Sequence, residues 1–514
     1  MLQRLRPVIE RLLKPSFSDF IFVAILGWMF VLAPDGFSTL LEDGDTGWHI
    51  RAGEYILDHG AVPLHDLFSY SKAGEPWYAW EWGTDVIYAL LFRAAGLKAI
   101  TLFAGAEIAL FAALLIRFTV ARGASPLFGL ATTFIAVAAC NVHYFARPHL
   151  ATLLLVPVCA WILDRNVTKP DWVLWLLVPI TAAWTNLHGG FLAAIALVGI
   201  YFAGSVIETL WDGTASWSAS KRLAIAGVLC CAATFVNPYG YQLHVHLAEY
   251  LNSDWIRNAV SEFQSPSFRA EHIRQYEMLL VAGLMAASLS LARRSVSPAL
   301  LLLFWAHQSL TSVRHLTIYV SLAAPLIALE ATVLWRRFAD GAPRKSTRAI
   351  LDQMAADALP NFRHTSLWPA AALAVLAFVP LSHVHWPSDF PAYRFPTKMV
   401  AKHEAELKRA TRLLTSDQWA DYLIFRNYPS QRVYFDGRSD FYGEKLGQEF
   451  AGLIQGRYDW REILDRRDFD VAFIPLDWPL ASLMKRDANW RLVDDDGATL
   501  LFERIAGAER LAQR

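Results

Sequence analysis

Charged residues and cysteines are both scarce in this 514-residue sequence. Charged side chains make up 18% of the chain, below the roughly 25% that is usual for soluble domains. By contrast, 55% of the residues are hydrophobic and the mean hydropathy is +0.28. The four cysteines lie in apolar runs and have no disulfide or metal-ligand spacing. Lipid is therefore the predicted solvent for much of the chain.

Several motifs of soluble enzymes are absent. The sequence contains no P-loop, no G-x-S-x-G elbow, no zincin helix and no paired C-x-x-C motif, which argues against soluble ATPases and the common proteases. Its 47 basic and 47 acidic residues cancel. Overall charge therefore gives no reason to expect a nucleic-acid partner.

Apolar runs long enough to cross a bilayer, or nearly so with tilt, recur along the first three quarters of the chain. We predict an α-helical polytopic membrane protein with about eleven transmembrane helices. No small-residue cleavage site follows the first apolar run, so it is predicted to be an uncleaved span. The predicted spans are 18–36, 98–118, 126–142, 148–164, 172–188, 190–211, 221–237, 276–292, 296–311, 315–335 and 367–384.

The loops between these runs predict an orientation. Cytoplasmic loops carry excess Lys and Arg, and with a cytoplasmic N-terminus every predicted inner loop is basic, including residues 336–348. The short outer loops carry few cations apart from Arg147 and Arg314. All histidines except His364 then lie on the outer side, and so does the C-terminal part of the chain.

The domain organisation follows from the change in composition. A transmembrane domain is predicted over 1–389, with long outer loops at 37–97 and 238–275, and long ordered loops are usually functional. From residue 390 the chain turns polar and alternates strand-like and helix-like pieces, which predicts a small C-terminal soluble α/β domain over 390–514. Its predicted strands are 412–415, 432–435, 471–475, 490–493 and 499–503.

The first outer loop opens with the carboxylates of Glu42-Asp43-Gly44-Asp45. Closely spaced acids can share a proton, bind a divalent cation, or leave one carboxylate as a general base. Asp45 and His49 are four residues apart and would share one helix face. Asp43, Asp45 and His49 are therefore the candidate catalytic residues. In the structural alternative, Asp45 or Thr46 caps an interfacial helix.

Other polar residues of the outer loops are candidate substrate-binding residues. Polar groups near membrane depth are costly and usually line a cavity or pathway, and forked arginine cations suit phosphate. Each could instead cap a helix, pair with an acid or reach lipid headgroups. We expect this set and the acids to converge on one outer cavity: His65, Asp66, Glu81, His143, Arg147, His149, Asn186, His188, Arg314 and His315.

A polar loop interrupted by glycine follows the predicted strand at 432–435. It contains Asp436-Gly437-Arg438-Ser439-Asp440, and binding loops often occupy such a position in α/β domains. An ordinary turn with a structural ion pair between Arg438 and Asp440 explains the same residues.

These features together resemble the GT-C superfamily of membrane glycosyltransferases. The run from Asp43-Gly44-Asp45-Thr46-Gly47-Trp48-His49 through Gly53-Glu54, Phe68-Ser69-Tyr70 and Glu81-Trp82, with Tyr434-Phe435-Asp436-Gly437-Arg438 near the end, looks like a largely uncharacterised group of bacterial multi-span proteins. The likeness covers most of the chain. It implies a bacterial inner-membrane protein with a periplasmic C-terminal domain.

The resemblance also implies a chemistry. The donor sugar would be carried on a polyprenyl phosphate, and the acceptor would be an extracytoplasmic lipid, glycan or protein. Asp45 or Asp43 would deprotonate or orient the acceptor, and Arg147 or Arg314 would hold the leaving phosphate. A divalent cation is one expectation for the acids; no other cofactor is implied.

Two other classes of function remain open. A lipid or glycan transporter, such as a flippase, could also need many spans and polar cavity groups, and Glu107 in the second predicted span is its best candidate site. A non-catalytic envelope assembly protein would bind through its soluble domain instead.

Overall fold

The structure, a computed structural model, describes residues 12–33, 37–213, 216–270, 273–362, 364, 366–381 and 384–505. These residues are predominantly helical and include a four-stranded sheet close to the end of the described chain. The basic segment before residue 12, on which the predicted orientation partly depends, lies outside the described residues.

The α-helices are α1 Phe17–Gly27, α2 Asp45–His59, α3 Trp82–Ala121, α4 Pro126–Ala139, α5 His149–Thr168, α6 Leu177–Leu187, α7 Leu192–Asp212, α8 Trp217–Ala233, α9 Gln242–Asn252, α10 Asp254–Ala259, α11 Arg274–Ala292, α12 Val296–Thr311, α13 Leu316–Ala339, α14 Thr347–Ala358, α15 Trp368–Phe378, α16 Thr397–Lys402, α17 Glu404–Arg409, α18 Asp417–Asn427, α19 Ser439–Ile454, α20 Trp460–Arg466 and α21 Pro479–Met484. The strands are β1 Leu413–Leu414, β2 Val471–Pro475, β3 Trp490–Asp495 and β4 Thr499–Arg504.

Every predicted span overlaps a helix, although some extend beyond it: the span predicted at 367–384 is an α-helix at Trp368–Phe378. Three of these helices are apolar but shorter, at Phe17–Leu32, Trp172–Leu187 and Trp368–Phe378. The predicted fold class, a helical membrane protein with a small C-terminal α/β part, is confirmed. Among the described residues, six helices are long and apolar enough to cross a membrane by length and composition: Trp82–Ala121, Pro126–His143, His149–Thr168, Gly189–Trp211, Arg274–Ala292 and Val313–Ala339.

The longest helix, α3, is interrupted near its first third. Ala95 has a φ of −154° and Gly96 has a φ of +63°, a left-handed conformation that glycine adopts without a Cβ clash. The shorter part of α3, from Trp82, precedes the break, and the long apolar part follows it.

Contacts divide the chain into two compact units. The transmembrane unit contains the described residues up to Phe37 together with Thr101–Gly240 and Ser261–His385. The sheet unit contains Ser38–Ile100, Tyr241–Val260 and the described residues from Trp386 onward. The first long loop thus belongs to the same compact unit as the C-terminal sheet.

Glycines allow close helix packing in the transmembrane unit. A Cβ on Gly204 of α7 would lie 2.2 Å from Ser297 Oγ of α12, and a Cβ on Gly283 of α11 would lie 2.1 Å from the Tyr319 hydroxyl of α13. Lipid tails are as apolar as the side chains, so van der Waals contact is a main source of attraction between membrane helices. These two glycines therefore set how closely their helices approach.

The sheet of the sheet unit has the strand order β1-β2-β4-β3. β1 runs parallel to β2 with Leu413 opposite Val471, and the other pairs are antiparallel. Most residues of β2 and β4 are buried, as expected for central strands covered on both faces. Ser416 follows β1 and caps α18 by accepting a hydrogen bond from the Trp419 N–H.

The prediction of a strand at 432–435 is wrong. Val433 forms a single bridge with Ser69 of the first long loop. The Val433 N–H donates to Phe68 O at 3.0 Å, and the Tyr70 N–H donates to Val433 O at 2.9 Å. The segment is extended and buried, but it pairs with the first long loop instead of the sheet.

The glycines of the first long loop explain how α2 packs. A Cβ on Gly44 would lie 2.5 Å from Gln418 O, and a Cβ on Gly47 would lie 2.7 Å from Asp421 O, both on α18. A Cβ on Gly53 would lie 1.9 Å from Asp85 O on α3. The glycine spacing therefore lets α2 approach the backbones of both helices.

We predict that Gly47→Ala destabilises the protein. The added methyl would meet a backbone carbonyl that cannot rotate away, and overpacking of this kind costs about 1–3 kcal/mol. Thermal unfolding of the purified protein in detergent should show a lower midpoint than the wild type. Gly27→Ala is the control, because a Cβ there meets nothing within 4 Å. Equal midpoints for wild type and Gly47→Ala would contradict the packing argument.

Candidate functional site

A group of polar side chains, here called the cationic cluster, lies where helices of the transmembrane unit end. Several members are on short 3₁₀ turns, because the terminal turn of a helix leaves backbone groups that need polar partners. These turns are Cys140–His143, Gly189–Phe191, Ser261–Phe263 and Val313–His315. The cluster comprises Arg147, Glu262, Arg314, His143, His149 and His188.

Two arginines of the cationic cluster share one carboxylate. Arg147 donates to Glu262 Oε1 at 2.9 Å, and Arg314 donates through two nitrogens to Glu262 Oε2 at 3.2 and 2.9 Å. Burial opposes the charge on Glu262, but Arg147 and Arg314 hold the pKa of this carboxyl well below its usual range. Two forked guanidinium groups held close together suit an anion with several oxygens, such as a phosphate.

Three histidines surround these arginines. The rings of His143 and His149 are 5.8 Å apart and those of His149 and His188 are 6.4 Å apart, centroid to centroid. All three lie within electrostatic range of Arg147 and Glu262. His149 Nε2 donates to the His143 carbonyl at 2.6 Å. His143 Nδ1 is buried and has no hydrogen-bond partner among the described residues, which is typical of a group that meets a ligand or water.

Two other predicted substrate-binding residues of the transmembrane unit form hydrogen bonds to backbone carbonyls of the same unit. The Asn186 amide donates to Ala182 O at 2.8 Å and to Val236 O at 2.7 Å. His315 Nδ1 bonds to Gln308 O at 3.3 Å, beside the ring of Trp305. Both side chains thus brace helix ends, and their predicted binding roles stay predictions.

A second group, here called the carboxyl cluster, lies in the sheet unit. Asp45 Oδ1 and Asp421 Oδ2 would lie 2.2 and 2.7 Å from a Cβ placed on Gly437, so this glycine leaves room for the two oxygens to approach each other. Asp45 is 6% exposed and Asp421 is fully buried. The cluster comprises Asp43, Asp45, Asp417, Asp421 and Asp436.

Asp421 is the most constrained acid of the carboxyl cluster. Its Oδ1 accepts from the Gly437 N–H at 3.0 Å, whereas its Oδ2 has no hydrogen-bond partner in the part of the chain that the structure describes. Burial, with Asp45 and Asp436 nearby, raises the pKa of Asp421 well above its usual value. A buried pair of neighbouring acids is therefore stable when one of the two carries a proton.

Asp43 differs from Asp45 in exposure. Asp43 is half-buried, and its Oδ1 accepts from the Asp45 N–H at 3.0 Å at the start of α2. The N-cap position of α2 is Gly44, so neither Asp45 nor Thr46 caps this helix as the structural alternative expected. Of the two predicted catalytic acids, Asp43 is the one with solvent access.

His49 lies between α2 and α3. Its Nδ1 is 2.6 Å from Asp85 Oδ1, and its Nε2 is 3.6 Å from Glu81 Oε2. The His49 side chain is only 1% exposed. This geometry supports a role in joining the two helices, and the catalytic role of His49 and the binding role of Glu81 stay predictions.

Asp66 and Arg438 form a buried structural pair. Arg438 NH2 lies 2.8 Å from Asp66 Oδ1 and 2.6 Å from Asp436 Oδ2. Asp66 also accepts from the N–H groups of Phe68 and Ser69. Arg438 therefore pairs with Asp66 and Asp436, and the suggested pair with Asp440 is wrong.

Asp440 instead lies 3.0 Å from His246 Nε2. His65, next to Asp66, is exposed, and its backbone forms an isolated bridge with Pro76. The loop around Asp66 is thus held by its own hydrogen bonds.

A divalent cation at the acids would need a full set of oxygen ligands. Mg²⁺ and Ca²⁺ take six or more oxygen ligands, including water. Among the described residues, no group of three or more His, Cys, Asp or Glu side chains is arranged to hold a metal ion. A divalent cation therefore stays a prediction.

Sequence reasoning missed two central residues, Glu262 and Asp421. Glu262 lies in the second long outer loop, and its only signal was that two isolated outer arginines need a carboxylate partner. Asp421 is four residues after Asp417 on α18, so two acids share one helix face. Neither signal identifies the distant residues that Glu262 and Asp421 contact in the folded protein.

We predict that the stability of Asp421→Asn relative to the wild type rises with pH. The folded-state pKa of Asp421 is raised, so the folded protein binds more protons than the unfolded chain between the ordinary and the raised pKa. Wild-type stability falls as pH rises through that window. Asparagine keeps the acceptor for Gly437 but cannot ionise.

Thermal unfolding of both proteins from about pH 4 upward, starting near the ordinary aspartate pKa, would measure this effect. Asp477→Asn, at an exposed position, is the control for changes in net charge. A difference between Asp421→Asn and wild type that is constant across pH would contradict the prediction.

Comparisons with known proteins identify the fold only. No family model and no curated protein matches the chain. The oligosaccharyltransferase of Archaeoglobus fulgidus in the apo form superposes with a TM-score of 0.56 and 10% identity, over 96% of this chain and 74% of that chain. ArnT from Cupriavidus metallidurans bound to undecaprenyl phosphate gives a TM-score of 0.46 and 11% identity, over 96% and 97%.

A second archaeal structure agrees with the first. AglB from Archaeoglobus fulgidus, in complex with an inhibitory peptide and a dolichol-phosphate, superposes with a TM-score of 0.60 and 9% identity, over 94% of this chain and 73% of that chain. The chain therefore has the fold of the archaeal oligosaccharyltransferase, and the GT-C-like fold that the sequence resemblance implied is confirmed.

Proposed function

We propose that this protein is a membrane glycosyltransferase. It moves a sugar from a polyprenyl-phosphate donor to an extracytoplasmic acceptor, which is a lipid, a glycan or a protein. The observation that carries the proposal is the pairing of Arg147 and Arg314 on the single carboxylate of Glu262. It holds two guanidinium groups together at the ends of membrane helices, and such groups suit a phosphate.

An apolar groove in the same unit supports a lipid-borne donor. The groove lies between α7 and α12 and has a volume of about 320 Å³. α7 begins just after His188, and α12 ends just before Arg314. A lipid whose phosphate binds the cationic cluster could place its isoprenoid chain there, along Ala196, Gly199, Ile200, Ala203, Leu300, Leu303 and Phe304. A soluble nucleotide sugar would gain nothing from these side chains.

The fold adds further support. AglB, which shares this fold, has been solved with a dolichol-phosphate and a peptide, so the fold can accommodate a lipid phosphate together with an acceptor. That likeness rests on 9% identity. The donor sugar and the acceptor of the present protein are therefore left to experiment.

In the proposed reaction, the acceptor oxygen or nitrogen bonds to the anomeric carbon of the sugar. The bond from that carbon to the phosphate oxygen breaks, and the phosphate keeps the electron pair. Arg147 and Arg314 stabilise the negative charge that develops there. The acceptor proton passes to a carboxylate, and we assign this role to Asp43 because it is half-buried.

One observation favours a second candidate, a lipid or glycan flippase. Glu107 lies in the apolar part of α3 and forms no hydrogen bond or ion pair with any residue that the structure describes. Acidic residues inside membranes often mark transport pathways. A flippase would translocate its lipid without needing the carboxylate of Asp43.

We predict that Asp43→Asn and Arg314→Gln each abolish transfer of one sugar to an envelope component. Removing one preorganised group that stabilises developing charge typically lowers a rate by about 10²–10³. The measurement is mass spectrometry of envelope lipids, glycans and glycoproteins from cells with the wild type, each variant or no protein.

Asp477→Asn and Arg269→Gln are matched controls, because both residues are exposed and lie outside the two clusters. If a sugar is lost in the null strain but kept in both Asp43→Asn and Arg314→Gln, the roles assigned to Asp43 and Arg314 are contradicted. No glycan change in the null strain would favour the flippase.

A further inference from the structure

A basic segment, residues 336–348, connects the end of α13 to the start of α14. It contains five cations and one acid, Asp340. Arg348 donates to Phe338 O at 2.9 Å. The other four cations are exposed, and their side chains have no hydrogen-bond or ion-pair partner among the residues that the structure describes: Arg336, Arg337, Arg344 and Lys345. Their charge therefore faces the surroundings of the protein.

The basic segment begins where a membrane helix ends. Its first two cations occupy the last turn of α13, which belongs to a helix long and apolar enough to cross a membrane. The Ser125 N–H, one residue before α4, donates to Thr332 Oγ1 near this end at 2.8 Å. The rings of Phe128 and Trp335 are 6.0 Å apart, centroid to centroid. The end of α13 therefore lies beside the start of α4, and the cations follow directly after the apolar part of α13.

α14 is too short to be a further span. Its 12 residues give a length of about 18 Å, well short of the roughly 30 Å of a bilayer hydrocarbon core. After α14, the ring of Phe362 stacks on the ring of Phe17, at the start of α1, with a centroid distance of 5.0 Å. α14 thus leads from the end of α13 to the start of α1, and both of these helix ends lie on the same side of the transmembrane unit.

Large apolar side chains are exposed beside the cations. Phe338 is 61% exposed, and Ile350 and Met354 are 50% and 55% exposed. Ile350 and Met354 are four residues apart, so they share one face of α14. The guanidinium of Arg348 lies 4.7 Å from the centroid of the Phe338 ring. Exposed apolar side chains next to cations are typical of segments that lie at the membrane interface.

The charge and the position of the basic segment together indicate one kind of partner. Cations that directly follow an apolar membrane helix lie near the depth of the lipid phosphates, and clusters of Lys and Arg at such positions recognise anionic lipids. α14 itself carries two acids, Asp352 and Asp357. The attraction to an anionic surface is therefore concentrated in the basic segment.

We propose that the basic segment binds the headgroups of anionic phospholipids. The four exposed cations contact lipid phosphates, and Phe338, Ile350 and Met354 enter the apolar layer beside them. Each Lys or Arg near an anionic membrane surface strengthens the attraction by a factor of about 5. The segment is therefore a lipid-binding surface that fixes the depth of the transmembrane unit, independently of glycosyl transfer.

Photolabelling with lipid probes tests the proposal. The full-length protein is placed in nanodiscs of equal parts phosphatidylcholine and phosphatidylglycerol, with a trace of photoactivatable phosphatidylglycerol or photoactivatable phosphatidylcholine. Mass spectrometry then measures the labelling of peptides from residues 334–358. The variant replaces the four exposed cations: Arg336→Gln, Arg337→Gln, Arg344→Gln and Lys345→Gln. The matched control replaces four exposed cations of the sheet unit: Arg394→Gln, Lys398→Gln, Arg432→Gln and Arg486→Gln.

We predict that the phosphatidylglycerol probe labels residues 334–358 about 10-fold or more over the phosphatidylcholine probe, in the wild type and in the control variant. In the variant without the four cations, the two probes should label this region equally, because they differ in the charge of the headgroup. No preference in the wild type, or an undiminished preference in the variant, would overturn the proposal. Equal loss in both variants would show that only net charge matters, and it would overturn the proposal as well.

The thermal unfolding midpoint in nanodiscs of phosphatidylcholine alone shows whether the variant is folded. It should match the wild type, since the four replaced side chains form no hydrogen bond or ion pair with any described residue. If the midpoint is lower, Arg344→Gln combined with Lys345→Gln is used instead, because both residues lie in the turn between α13 and α14. This pair should lower the preference for phosphatidylglycerol by about 5-fold or more, and an unchanged preference would overturn the proposal.

Discussion

Polar groups at the ends of buried helices must find partners within the protein, and this requirement organises the structure. In apolar surroundings an unsatisfied donor or acceptor costs several kcal/mol. The transmembrane unit meets the requirement with short 3₁₀ turns whose side chains bond to one another. Glu262 accepts from two arginines, and His188 accepts from Thr152 and Gly190. The same contacts that close the helix ends also gather cations and imidazoles in one place.

Close backbone approach is the second requirement, and glycine meets it in both units. Gly204 and Gly283 set helix distances in the transmembrane unit, while Gly44 and Gly47 bring α2 onto α18 in the sheet unit. The Asp43-Gly44-Asp45 motif therefore has two parts with different functions. Its glycine allows α2 to pack closely against α18. That packing places Asp45 near Asp421. A motif that resembles a catalytic signature is thus also a helix-docking motif.

The two clusters have opposite charge and complementary chemistry. The cationic cluster holds two guanidinium groups around Glu262, and the carboxyl cluster holds several acids near Asp421. Glycosyl transfer from a lipid phosphate needs both kinds of group, a base for the acceptor and cations for the leaving phosphate. The pairing of Arg147 and Arg314 on Glu262 carries the functional proposal, and the acids supply candidates for the base.

The apolar periodicity of the sequence by itself determined the helical spans, because long apolar segments in lipid have few alternatives to a helix. It also indicated the α/β character of the C-terminal part, and it singled out Arg147, Arg314 and Asp43 as candidates because they are polar residues beside apolar runs. Only the tertiary structure decided which partners they have. Glu262 lies 115 residues from Arg147, and Asp421 lies far along the chain from Asp45. Such pairings depend on loop paths and helix contacts, and local sequence patterns do not encode those distances.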